Sequence, residues 1–337
     1  MVFKSNLIIL KILWIALLCQ HSLFLLAQTA TIREIVLPTE IKTINGIVSN
    51  NEEMVWLATG QGLYCYKNDS FIRYYDQANA ELYRINALSS DKNGNKWFGT
   101  YNGILVKFDQ KGISKTIDIK PFCKTDNYLI SGISINQEIE NGNVDILLTT
   151  SGGEIFAYDT ITGIVKNIES PSGATIYDIQ YGYSPTIWLC TSDGFYTMNR
   201  NSKWKKKSDI YTAYGLFENA GKYWAIGRDK DKKAVLMLYY DEDNTGQTND
   251  YTWNNFDLQY LSNIYSRFYK LDFTSDEMVW IASENGLIRY NPLNGNIREF
   301  AKDNNLPASS IHHIAVQNND LIWISTSGKK FFRVELK

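Results

Sequence analysis

The chain has 337 residues, 44% hydrophobic and 14% aromatic, with a formal net charge of −2. That is enough apolar material for one large core, and the lack of a cationic excess argues against a nucleic-acid or anionic-membrane binder. Four cysteines without a CxxC pair leave no zinc or thiol-redox motif.

Residues 1–27 read as a secretory signal. Lys4 supplies a positive start, LIILKILWIALL an apolar stretch broken by Lys11, and SLFLLA ends at the small residue Ala27 before polar QTAT. Without this segment the chain holds 32 basic against 36 acidic residues, so about −4. Cys19 lacks the small preceding residue of a lipid-attachment site. No second stretch of ~18 apolar residues follows, so no membrane span is expected after signal cleavage.

Residues 28–337 read as one domain. The segment ATIREIVLP, residues 30–38, has strand character and precedes seven similar units near 40–76, 84–119, 129–169, 175–207, 212–256, 267–301 and 310–337. Each unit opens on two apolar anchors three residues apart: Ile44 and Ile47, Ile85 and Leu88, Ile130 and Ile133, Ile176 and Ile179, Ala213 and Leu216, Phe268 and Leu271, Ile311 and Ile314. A large residue follows at Trp56, Trp97, Leu147, Trp188, Trp224, Trp280 and Trp323, nine places after the second anchor in five of the units. Six residues further comes a turn glycine at Gly62, Gly103, Gly153, Gly194 and Gly286.

The second unit shows the local logic. A strand from Ile85 leads into DKNG (Asp91 to Gly94), where Asp hydrogen-bonds its own backbone and Gly accepts positive φ. NKWFGT forms a second strand, Asn102-Gly103 a tight hairpin, and GILVKFD and ISKTIDI two more strands. Four short antiparallel strands cannot bury both faces alone, so the units must stack on one another. The expected fold is all-β, a seven-bladed β-propeller. Its last unit ends after three strands at Lys337, and residues 30–38 complete that blade, removing an open edge. Unit five departs from the pattern through RDKDKKA, which lengthens its hairpin. The tryptophans read as core fillers between blades, and KWKKK (Lys203 to Lys207) as a solvated strand edge. Cys65 and Cys190 read as buried free thiols.

The segments KWFGTYNGILVKFD, VWIASENGLIRYNPLNGNIREF and NNLPASSIHHI resemble the two-component-regulator propeller repeats of bacterial sensor ectodomains. Ser309 stands where that family commonly has asparagine, and units three to five depart furthest. The resemblance implies sensing or binding outside the cytoplasm, periplasmic or extracellular. Receptors of the family continue into further modules and a kinase. A chain ending at Lys337 therefore implies a stand-alone exported propeller whose signalling needs a partner.

Catalytic residues are not expected. There is no GxSxG elbow, and Asp241, Glu242 and Asp243 read as a solvated hairpin tip. Propeller lyases resembling streptogramin-inactivating enzymes rely on histidine and a metal. Here the adjacent His312 and His313 should point to opposite strand faces. No metal or cofactor site is expected, and a sugar lyase or glycosidase stays open as the enzymatic alternative. What the repeat does supply is a ring. The residue after each first anchor should recur around the central axis: Asn45, Asn86, Ser131, Tyr177, Tyr214, Tyr269 and His312, with Arg84 and Arg267 beside two anchors. Tyrosine and arginine at a channel mouth suit a glycan, a peptide or an anion. An envelope protein partner, a scaffold role in an envelope or secretion complex, and a water-filled channel without a ligand are the other readings.

Overall fold

A computed structural model describes residues 30–50, 54–74, 84–136, 145–171, 173–182, 186–199, 203–207, 210–219, 222–241, 251–258, 261, 267–300, 306, 310–327 and 329–337. The proposed signal segment 1–27, Glu242, Asp243 and most of the linker around Pro307 lie outside them.

The described strands form seven antiparallel sheets of four. Blade 1 is Ile44–Ser49, Val55–Thr59, Gly62–Lys67 and Ser70–Tyr74; blade 2 is Ile85–Ser90, Lys96–Thr100, Ile104–Asp109 and Gly112–Asp118. Blade 3 is Ile130–Ile135, Asp145–Thr150, Ile155–Asp159 and Val165–Ile168; blade 4 is Ile176–Tyr181, Thr186–Thr191, Gly194–Asn199 and Lys205–Lys207. Blade 5 is Ile210–Asn219, Lys222–Asp229, Ala234–Asp241 and Tyr251–Asp257; blade 6 is Phe268–Phe273, Val279–Ser283, Gly286–Tyr290 and Ile297–Glu299. Blade 7 joins Ile311–Asn318, Leu321–Thr326 and Phe331–Leu336 to the chain's first described strand, Ala30–Ile35. That strand pairs with the last one from Ala30↔Leu336 to Ile35↔Phe331. First strands touch their neighbours around the whole circle, blade 7 returning to blade 1. The molecule is a closed seven-bladed β-propeller.

Its apolar interior is seven cores, one per blade–blade interface. Trp323 of blade 7 packs with Leu57 and Tyr66 of blade 1, Trp56 with Phe98 of blade 2, and Trp97 with Ile130 of blade 3. Leu147 meets Ile179 of blade 4, Trp188 meets Leu216 of blade 5, Trp224 meets Ile281 of blade 6, and Trp280 meets Ile322 of blade 7. The recurrent large residue is therefore the interblade filler, and a fully buried tryptophan of this kind contributes several kcal/mol. Three of these indoles carry a cation on the directly paired residue of the third strand: Lys107 at 5.5 Å, and Arg289 and Arg333 each at 5.7 Å.

Turn chemistry follows the sequence closely in blade 2. Asp91 Oδ1 accepts the N–H groups of Asn93 and Asn95, each at 3.0 Å, and Oδ2 accepts the Trp97 indole N–H at 3.1 Å. Gly94 takes φ of +79°, a conformation glycine adopts without strain. One aspartate thus fixes both the turn and the core tryptophan. The long hairpin of blade 5 closes the same way, with Asp229 Oδ1 accepting Asp231 and Lys233 N–H. Cys65 and Cys190 are buried free thiols, while Cys123 is half-buried. No helix among the described residues is long and apolar enough to cross a membrane.

Candidate functional site at the channel mouth

Every first strand carries an inserted residue at the same place, and those of blades 5 and 7 carry a second, between Ile210 and Thr212 and between Val316 and Asn318. Pairing with the second strand steps from Ile44 to Gly46, Ile85 to Ala87, Ile130 to Gly132, Ile176 to Asp178, Ala213 to Gly215, Phe268 to Lys270 and Ile311 to His313. The skipped residues are Asn45, Asn86, Ser131, Tyr177, Tyr214, Tyr269 and His312. A bulge of this kind leaves its extra residue out of the ladder and re-aims its side chain. It also explains the anchor spacing: positions i and i+3 share a strand face only when one residue is inserted between them. Both anchors of each pair do pack into the same interface, Ile311 and Ile314 among them.

Six of the seven bulged residues line one central cavity of about 480 Å³, and the seventh, Tyr214, lies against Tyr177 with ring centroids 5.4 Å apart. The mouth is lopsided. Blades 1–3 present Asn45, Asn86 and Ser131, small side chains tied to protein. Asn45 Nδ2 donates to the Ile85 carbonyl at 2.7 Å, Asn86 Nδ2 to the Ile130 carbonyl at 3.0 Å, and the Ser131 and Thr149 hydroxyls are 3.1 Å apart. Each asparagine therefore bonds the first anchor of the next blade.

Blades 4–7 present rings and cations. The Arg267 guanidinium sits 5.6 Å from the Tyr177 centroid and 5.1 Å from that of Tyr269, whose other neighbour is His312 at 4.4 Å. Ser310 donates to the Tyr269 hydroxyl at 3.0 Å. Burial pushes the Tyr214 phenol up, with Arg228 pulling the other way, and holds His312 below the usual histidine range with help from Arg267. Arg84 is exposed over Tyr101 at 5.2 Å. Neither Arg84 nor Arg267 lines the cavity itself: Arg267 contacts two of its lining rings, and Arg84 contacts Tyr101, whose hydroxyl accepts from Asn45 Nδ2 at 3.4 Å.

A second tier lies beyond the bulges, and the pattern of alternation hid it. His313 was expected on the face opposite His312, but the bulge at His312 breaks the alternation and both histidines line the cavity. Lys270, Asp178, Gln180 and Asp272 join them. Lys270 Nζ lies 2.9 Å from Asp178 Oδ2, their side chains 39% and 7% exposed. Asp178 also accepts the N–H groups of Ile179 and Leu216, at 3.0 and 3.2 Å. Asp272 accepts those of Phe273 and Val316, at 2.8 and 2.7 Å. Desolvation pushes the Asp272 carboxyl up to about 7 despite these donors. Desolvation, with His312 and Lys270 nearby, pushes the His313 imidazole down to about 3, a backbone contact with Ile44 acting in the opposite sense. A usable signal existed: the position two after each first anchor reads Gly, Ala, Gly, Asp, Gly, Lys and His, with no large apolar residue.

The chain is similar in fold to several solved propellers. A streptogramin B lyase structure superposes with a TM-score of 0.70 at 16% identity, covering 91% of this chain and 98% of the lyase. The extracellular domains described as those of hybrid two-component systems BT4673 and BT3049 from B. thetaiotaomicron superpose with TM-scores of 0.64 and 0.66 at 16% and 17% identity. Each of these two covers 90% of this chain, which spans 39% and 41% of theirs. No family profile matches the sequence, and no curated protein matches it. At these identities the likeness establishes the β-propeller fold, one shared with two-component sensor ectodomains and with a lyase.

Proposed function

We propose that this chain is an exported, non-enzymatic propeller that binds a small ligand or an envelope protein at its channel mouth. The observation that carries the reading is the ring of seven bulges. Each lifts one residue out of the ladder toward a common axis, and the ring gathers Tyr177, Tyr214, Tyr269 and His312 beside an exposed arginine. Bulges concentrate at barrel rims and beside active sites, where a side chain must be re-aimed. Export rests on the signal-like residues 1–27, and sensing on the resemblance to sensor ectodomains. The test is retention of glycans, peptides or envelope proteins by the purified chain, compared with Arg84→Ala and Arg267→Ala. Loss of retention with unchanged folding supports the mouth, and undiminished retention by both variants removes it.

A second reading has one specific observation in its favour. Both histidines line the cavity together with Asp272, a carboxyl that titrates near neutrality, and such a set can move a proton. This is a lyase-type reading, consistent with the fold likeness to streptogramin B lyase. Turnover of glycans or cyclic peptides that disappears in His313→Gln would favour it over binding alone.

A further inference from the structure

We propose that the ligand of the mouth carries a compact oxyanion (a carboxylate, sulfate or phosphate group) seated on the Arg267 guanidinium, with Lys270 as second cation. The proposal rests on the channel-mouth reading and names its ligand class. Three observations point the same way.

First, Arg267 is exposed and held by stacking against Tyr177 and Tyr269, and it forms no ion pair with any described residue. A guanidinium oriented by rings rather than by a carboxylate keeps its fork of donors for an incoming anion. Second, the two acidic side chains that line the cavity are already engaged. Asp178 and Asp272 each accept two backbone N–H groups, and Asp178 also pairs with Lys270. Lys270 is still 39% exposed, and only one of its three N–H donors is needed by Asp178. Arg267 beside His312 and Lys270 beside His313 add to desolvation in holding both imidazoles low.

Third, the aromatic faces are occupied by one another. Tyr269 contacts both Arg267 and His312, and Tyr177 contacts both Arg267 and Tyr214. A neutral sugar needs an open ring face to stack on, and these two rings offer little. The tyrosines are the mount of the arginine, and the arginine is the contact.

The experiment is calorimetric titration of the full chain at pH 7 and fixed ionic strength with inorganic phosphate, sulfate, D-glucuronate and, as neutral probe, D-glucose. The expected result is saturable binding of at least one oxyanion and none of D-glucose. Affinity should fall about tenfold or more in Arg267→Ala, as for loss of a charged hydrogen bond. Arg267→Met, which keeps an apolar stem over the tyrosines, should show the same loss. Lys111→Ala, on an exposed hairpin, should show none. Oxyanion binding unchanged in both Arg267 variants, an equal loss in Lys111→Ala, or no binding by any oxyanion would overturn the proposal. If a neutral glycan or peptide binds instead and Tyr177→Ala weakens it, the anion assignment falls and the mouth stands. If no probe or partner depends on any mouth residue, both fall.

Discussion

Deleting Ser131 should cost little, although it removes a residue from the middle of an innermost strand. Ser131 is the inserted residue of blade 3: Ile130 pairs with Thr150 and Gly132 with Thr149. Removing it joins two residues that already pair with consecutive partners, and Ile130 and Ile133 keep their shared face. The loss is one hydroxyl hydrogen bond to Thr149 and some reshaping of the mouth, roughly 1–2 kcal/mol. Were there no bulge, the deletion would turn Ile133 and Ile135 to the wrong face, at about 2–5 kcal/mol each. The control is deletion of Ala157, inside a regular strand whose Phe156 and Tyr158 are 0% and 1% exposed. Urea and thermal unfolding followed by circular dichroism read both. The Ser131 deletion should lower Tm by only a few degrees, at about 2–4 °C per kcal/mol, whereas the Ala157 deletion should abolish the cooperative transition. Comparable damage from the two deletions would refute the bulge.

Three further outcomes follow from the same geometry. Asp272, titrating near 7 when folded and near 4 when unfolded, binds more protons in the native state between those values, so its contribution to stability falls as pH rises through that window. His313, near 3 folded and about 6.5 unfolded, binds more protons unfolded, so its contribution rises with pH over an overlapping window. Comparing Tm at pH 4.5 and 6.5 should therefore show a more positive pH slope in Asp272→Asn and a more negative one in His313→Gln; slopes unchanged from wild type would contradict the desolvation of these two half-buried groups. Truncation through residue 36 should expose the edge Phe331–Leu336 and yield aggregates by light scattering, and a monomeric, equally stable truncation would show that this strand does not close the ring. Trp97→Ala should cost about 3–5 kcal/mol in urea, because Trp97 fills the interface with blade 3 and its indole is tied to Asp91; a loss under 1 kcal/mol would remove the tryptophan from the core.

Periodicity made the ring legible, because each blade is a local unit whose anchors, turn and filler repeat at near-constant spacing. The three-residue interval between Ile44 and Ile47 even encoded the bulge, since an uninterrupted strand would use two or four. The turn at Asp91 was readable for the same local reason. The inner tier was not. Strict alternation assigned His313 to the far face because the extra residue at His312 was not counted. The Asp178–Lys270 pair joins blade 4 to blade 6 across 92 positions of sequence, a distance over which no spacing rule operates. Asp272 looked like an ordinary strand residue; its bond to the Val316 N–H exists only once blade 7 docks on blade 6. The lopsidedness of the mouth was legible in the order Asn45, Asn86, Ser131, Tyr177, Tyr214, Tyr269 and His312, whereas the seating of Arg267 against tyrosines of blades 4 and 6 needed the fold.

The most direct measurement is a plug. In a Cys123→Ser background, where the remaining described thiols are the buried Cys65 and Cys190, Ser131→Cys is labelled with a bulky maleimide, and retention of the bound glycan, anion or envelope protein is compared before and after. A matched label at Lys111→Cys on the outer hairpin serves as the reference. The account predicts that labelling at position 131 abolishes retention while labelling at 111 leaves it intact; full retention with the mouth plugged would contradict it.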